Sequence, residues 1–152
     1  MRLMGLDVGD KTIGVALSDP LGMMTYGLET IQRSTLDRDM GRIVQLVLEH
    51  GVTEVVVGLP LNMNDTVGPR AEKSIAFSKQ LTKRLKYSKS LQGTDVPVVL
   101  WDERLSTVQA EQLLLEADMS RKKRKTIIDK MAAAAFLQAY LEHKKQGEPH
   151  GQ

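Results

Sequence analysis

Three short apolar runs open the chain, at residues 2–7, 12–18 and 23–31, with no room for a helix between them. Only Val8-Gly9-Asp10-Lys11 separates the first two, a spacing that favours an antiparallel hairpin. From residue 38 the pattern changes. Met40, Ile43, Val44, Val47 and Leu48 recur at helical spacing over 38–50, with Asp37 available as the N-cap and Gly51 as the stop. The β-branched run at 54–58 reads as a buried strand, a turn-rich loop covers 59–69, and a second helix is expected over 70–86. Another buried strand is expected at 95–101, with Pro97 near its start, where a missing donor is tolerable. Helices should follow at about 107–118 and 126–144. Strands separated by helices pair in parallel through crossovers, whereas the first three can pair antiparallel. The expected fold is therefore α/β: a mixed five-stranded sheet, three antiparallel meander strands plus two parallel strands, flanked by helices.

A chain of 152 residues, 41% hydrophobic, suits one core, and one domain is expected over 1–145 with a flexible polar tail over 146–152. The absence of cysteine excludes a disulfide framework and any thiolate metal site. The opening apolar run reaches Asp7 too soon for a signal peptide, and no run approaches the roughly 18 apolar residues of a membrane span. A cytoplasmic protein with no membrane partner is the expectation. Net charge is only +2, from 21 basic and 19 acidic residues, so bulk charge does not point to nucleic acid. Its distribution says more. Lys79, Lys83, Arg84, Lys86 and Lys89 form one basic stretch, and Arg121, Lys122, Lys123, Arg124 and Lys125 form another between the last two expected helices. Each reads either as a solvated surface or as a phosphate contact.

Three carboxylates stand out. Asp7 ends an apolar strand before a glycine turn, and ligands of open α/β sheets collect beyond the carboxyl ends of the parallel strands; an Asp there can equally accept turn amides. Glu103 follows the strand through Trp101, flanked by Asp102 and Arg104. Strand alternation sends Asp102 and Glu103 to opposite faces, so one of them can face Asp7, the alternatives being an ion pair with Arg104 or a helix cap. Asp129 interrupts an apolar segment running from Ile127 to Leu137, where a carboxylate is costly unless something positive sits nearby, and Ala132 and Ala133 one turn on would let that face lie close to the sheet. A first-turn residue favoured by the helix dipole is the other reading. Two strand ends and a helix supplying only oxygen donors suit Mg²⁺ or Mn²⁺. His50, His143 and His150 are too scattered for a zinc site or a catalytic triad.

Four segments together resemble one family: GLDVGDKTIGVALSD at 5–19, VVVGLPLNMNDTVGPRAEK at 55–73, DERLSTVQAE at 102–111 and IIDKMAAAAFLQAYL at 127–141. In this order and at these separations they are similar to the bacterial YqgF-type proteins, also called RuvX-like Holliday-junction resolvases or pre-16S ribosomal RNA nucleases. The resemblance implies a ribonuclease-H-like fold, with Asp7, Glu103 and Asp129 as the catalytic, metal-holding carboxylates. It also implies 5′-end processing of pre-16S rRNA, with Holliday-junction cleavage as the alternative. One departure is Asn64-Asp65-Thr66, where the family commonly has glycine at the central position. Aspartate tolerates turn conformations less freely, which puts the shape of the 59–69 loop in question.

The expected chemistry is two-metal phosphodiester hydrolysis with Asp7 bridging the ions. Lys11, Arg70, Lys73, Arg104 and the run Arg121, Lys122, Lys123, Arg124 and Lys125 are the expected nucleic-acid contacts. Two other classes compete. The Asp7–Gly14 pattern also looks like the phosphate loop of the actin, Hsp70 and sugar-kinase superfamily, but 152 residues leave room for only one of its two lobes. A non-catalytic nucleic-acid-binding module would have no use for clustered acids unless metal neutralises them. Either a monomer or a homodimer is compatible, a junction resolvase needing the symmetric pair.

Overall fold

The computed structural model describes residues 1–103 and 121–147, with only the backbone of 121–126 and 147. The meander is β1 (Leu3–Val8), β2 (Thr12–Ser18) and β3 (Thr25–Gln32). There follow α1 (Leu36–His50), β4 (Glu54–Leu59), α2 (Pro69–Lys86), a 3₁₀ turn at Lys89–Leu91, β5 (Val98–Asp102) and α3 (Arg121–Gly147). The sheet order is β3-β2-β1-β4-β5, with β1–β2 and β2–β3 antiparallel and β1–β4 and β4–β5 parallel. This is the expected mixed sheet, with β1 at its centre.

Period-two alternation divides the sheet's two faces. Met4, Leu6, Ile13, Val15, Leu17, Val55 and Val57 face the layer of α1 and α2, meeting Met40, Ile43, Leu46, Phe77 and Leu81. Leu3, Ala16 and Val56 face α3, meeting Ala133, Phe136, Leu137 and Leu141. Polar ties fix the helix along its length. The Thr25 hydroxyl donates to the Ala134 carbonyl at 2.7 Å, and farther on the Tyr140 hydroxyl donates to Glu54 at 2.8 Å.

Local chemistry sets the helix ends. Thr35 caps α1 by accepting from the Arg38 amide, and Gly51 ends it in the left-handed conformation, its N–H returning to the Val47 carbonyl. The cap is thus Thr35 and not Asp37, which lies in the first turn and pairs with Arg84 at 2.9 Å. Pro69 opens α2, where its missing donor costs nothing. The basic run 121–125, expected between helices, is helical backbone continuous with the segment that carries Asp129, and α3 continues through Gln146 and Gly147. The helix expected at 107–118 and residues 148–152 lie outside the described residues.

The 59–69 loop keeps its turn despite Asp65. That residue takes φ 68°, the left-handed conformation that glycine adopts freely. Its amide donates to the Asn62 carbonyl, and the Asn62 amide donates to the Thr66 carbonyl, both at 2.9 Å.

Candidate metal and nucleic-acid site

Asp7 lies near the carboxyl end of β1, in register with Gly14 of β2. On the other side Leu6 pairs with Val57 of β4, so the next residue, Gly58, runs alongside Asp7. Each glycine leaves a space that another acid fills. A Cβ at Gly14 would collide with the backbone carbonyl of Asp129, and one at Gly58 with the Glu103 carboxylate and the Phe136 ring. The sheet is therefore hollowed on both sides of Asp7, and α3 and the end of β5 close over the hollows. Glu103 continues the α3-facing alternation of Val99 and Trp101, whereas Asp102 is exposed.

The hydrogen bonding of the three acids differs. Asp129 accepts a 2.6 Å bond from the Thr12 hydroxyl. Glu103 is 8% exposed, and its Oε2 is buried with no hydrogen-bond partner among the described residues. Burial raises the Asp7 pKa from 3.8 to about 6, with the Asp129 charge adding to the rise and Arg70 opposing it. Burial likewise raises Glu103 from 4.5 to about 8, reinforced by Asp7 and Asp102 and again opposed by Arg70. Asp7 thus feels both other acids, as the middle member of a chain from Asp129 to Glu103. Among the described residues no three His, Cys, Asp or Glu side chains gather closely enough to hold a single ion. An orphaned buried carboxylate and an all-oxygen donor set fit a hard divalent cation.

Cations line the adjoining cavity of ≈ 310 Å³, which lies between the β1–β2 turn and the start of α2. Lys11, Arg70 and Lys73 all reach it, beside Asp129. Lys73 donates to Asp10 at 2.8 Å and holds that carboxyl below its ordinary value, but both side chains are largely exposed, so the pair is a weak tie. Arg104 lies outside the described residues, as do the side chains of 121–125.

Two further residues shape this cavity and were not singled out from sequence. Thr12, the donor to Asp129, carries only the signal of a hydroxyl one turn after Asp7. Arg33 donates from Nε to the buried Asp39 at 3.2 Å and from a terminal nitrogen to the Gly9 carbonyl at 2.8 Å, its guanidinium 5.6 Å from the Phe77 ring centroid. It ties the turn that carries Lys11 and Thr12 to both helices on the opposite face. No local pattern distinguishes this arginine from a surface one.

The fold has counterparts among solved structures. A solved structure of T. thermophilus RuvC in complex with a Holliday junction substrate matches with TM-score 0.59 at 13% identity, covering 97% of each chain. The Fowlpox virus resolvase in complex with substrate Holliday junction DNA matches with TM-score 0.52 at 12% identity, covering 95% of this chain and 99% of the other. At such identities the likeness is one of fold, and the fold is ribonuclease-H-like. Sequence likeness is much closer to proteins named "Putative pre-16S rRNA nuclease". The one from Desulforamulus reducens is 54% identical over 142 residues, covering 93% of this chain and 97% of its own. Its counterpart in Symbiobacterium thermophilum is 50% identical over 149 residues, covering 98% and 97%. The family model described as "RuvX: Holliday junction resolvase" matches residues 1–143, which takes in Asp7, Glu103 and Asp129 alike, and the chain belongs to that family.

Proposed function

We propose that this protein is a metal-dependent nuclease that hydrolyses phosphodiester bonds of structured RNA, acting in 5′-end processing of pre-16S rRNA. The observation that carries the reading is the buried Glu103 carboxylate beside Asp7, whose Oε2 has no hydrogen-bond partner among the described residues, an arrangement costly to keep unless a cation binds there. Asp7, felt by both other acids, would be the ligand shared between two Mg²⁺ or Mn²⁺ ions, with Asp129 and Glu103 each serving one. When bound, such ions supply an activated water and neutralise the leaving oxygen. Thr12 orients Asp129 for this role, while Lys11, Arg70 and Lys73 take the phosphates flanking the cleaved bond. The weak Lys73–Asp10 pair would exchange for a phosphate contact at little cost. The names carried by the half-identical relatives favour RNA as the substrate.

A second reading, cleavage of branched DNA, is favoured by the description of the matching family model. Cutting two strands of a junction symmetrically would require a homodimer. Among the described residues no helix is long and apolar enough to cross a membrane.

Incubation with a labelled 5′-extended 16S precursor and with a four-way DNA junction, in Mg²⁺, Mn²⁺ or a chelator, tests both readings. Metal-dependent cutting of the RNA alone is expected. Cutting of the junction alone by a dimer would replace the first reading with the second, and no cutting of either would refute the nuclease assignment.

A further inference from the structure

The basic stretch that begins at Lys79 lies away from the carboxylates, and most of it belongs to α2. That helix carries six cations, Arg70, Lys73, Lys79, Lys83, Arg84 and Lys86, against one acid, Glu72. Its first turn supplies Arg70 and Lys73 to the cavity beside Asp129. Its other end lies about 25 Å away, the rise of 17 helical residues.

At that far end the surface changes character. Tyr87 follows the helix with 75% of its surface exposed, and the Lys86 ammonium sits 5.7 Å from its ring centroid. Beside it a groove of ≈ 550 Å³ runs between α1 and α2, lined by Leu36, Met40, Gln80, Lys83, Arg84 and Tyr87. Asp37 partly neutralises Arg84, while Lys83 and Lys86 have no ion-pair partner among the described residues. A solvated helix face would account for the lysines. It would not account for a tyrosine ring left in water beside an apolar groove and rimmed with positive charge.

We propose that the far end of α2 is a second nucleic-acid contact that takes an unpaired nucleotide, its base stacked on Tyr87 and its flanking phosphates on Lys83 and Lys86. An aromatic face among cations is the general solution for holding single strands without reading their sequence. The groove's apolar floor favours an unpaired base, because a paired base is already stacked and offers only its backbone. The inference rests on the nuclease reading and narrows its substrate to one with a single-stranded extension about 25 Å from the cleaved bond. Phosphate contacts at Lys79 and Lys73 would guide the strand between the two sites.

The test uses the full chain and one structured RNA, made with and without a single-stranded oligouridylate tail of about ten nucleotides. Binding is followed by fluorescence anisotropy without divalent metal, and cleavage with Mn²⁺. The tail should raise wild-type affinity, and Tyr87→Ala should lose about tenfold on the tailed RNA while Tyr87→Phe keeps it. The pair Lys83→Ala and Lys86→Ala should flatten the salt dependence on the tailed RNA by about 1.4 in slope, the value for two single-strand phosphate contacts. All variants should bind and cut the untailed RNA like the wild type, which also reports that they fold. No gain from the tail, or a gain that Tyr87→Ala leaves intact, would overturn the proposal. So would an equal gain from a double-stranded extension, insensitive to Tyr87→Ala. Tail-dependent binding of the expected pattern without metal-dependent cleavage would uphold this site while refuting the nuclease reading.

Discussion

The Thr12 hydroxyl donates to Asp129 Oδ2 at 2.6 Å, joining residues 117 positions apart. The bond fixes one carboxylate oxygen of α3 and leaves the other, Oδ1, for a different partner. Thr12→Val keeps the shape and removes the donor. It should weaken metal binding and cleavage by about tenfold to a hundredfold, the usual cost of losing a group that orients a metal ligand. Thr12→Ser should keep most of both. Titration of activity against Mn²⁺ checks this, and a valine variant with unchanged metal dependence would count against Asp129 as a ligand.

Asp7→Asn should abolish cleavage and, without metal, stabilise the fold. Asp7 is buried between two other acids, so its charge opposes folding when no cation is bound. A gain of about 2 kcal/mol, or roughly 6 °C in Tm for a chain of this size, is expected at neutral pH. Adding Mg²⁺ or Mn²⁺ should raise the wild-type Tm more than that of the variant. Equal shifts in the two proteins would remove Asp7 from the ligand set.

The same two acids set a pH dependence. Both have folded pKa values above their ordinary ones, Asp7 about 6 against 3.8 and Glu103 about 8 against 4.5. Between those limits the folded state holds protons that the unfolded state has released. Metal-free stability should therefore fall as pH rises from about 4 to 8, by more than the loss of about 2 kcal/mol expected from Asp7 alone, because the larger shift of Glu103 adds to it. A divalent ion competes with those protons, so its stabilising effect should grow over the same interval. Thermal melts from pH 4 to 9, with chelator and with Mg²⁺, report both trends; a flat metal-free profile would refute the raised values.

Replacing Lys122, Lys123 and Arg124 with alanine should weaken nucleic-acid binding and flatten its salt dependence by up to about three in slope if all three contact phosphate. The run belongs to the same helix as Asp129, which tethers it within a few turns of the carboxylates. Metal affinity should hardly change. Binding of RNA and DNA junctions as tight as wild type, with the same slope, would make the run a solvated helix face.

Asp65→Gly should stabilise the protein by up to about 1 kcal/mol, since Asp65 holds a left-handed φ of 68° that glycine adopts without a steric penalty. Denaturant midpoints compare the two chains. A loss of stability would mean that the aspartate side chain contributes more to the loop than its backbone strain costs.

The order of strands and helices was legible in the sequence, because period-two and period-3.6 burial patterns are written residue by residue. The three acids are candidates on unequal grounds: Asp129 by its apolar segment, Asp7 by its place before a glycine turn, and Glu103 rather than Asp102 only by the family resemblance. The helix ends were less legible: Asp37 is the expected cap of α1, but Thr35 has an equally suitable side chain two residues earlier, and only the path of the chain selects it. A basic run looks like a loop until the helix beyond it is seen to continue through it. What only the tertiary structure decided is the neighbourhood of Asp7. Gly14 and Gly58 resemble any other strand glycines until the order β2-β1-β4 places them on either side of Asp7, one beneath Asp129 and one beneath Glu103. Strand order and register follow from burying both faces of the whole sheet at once, a condition that no local stretch of sequence contains.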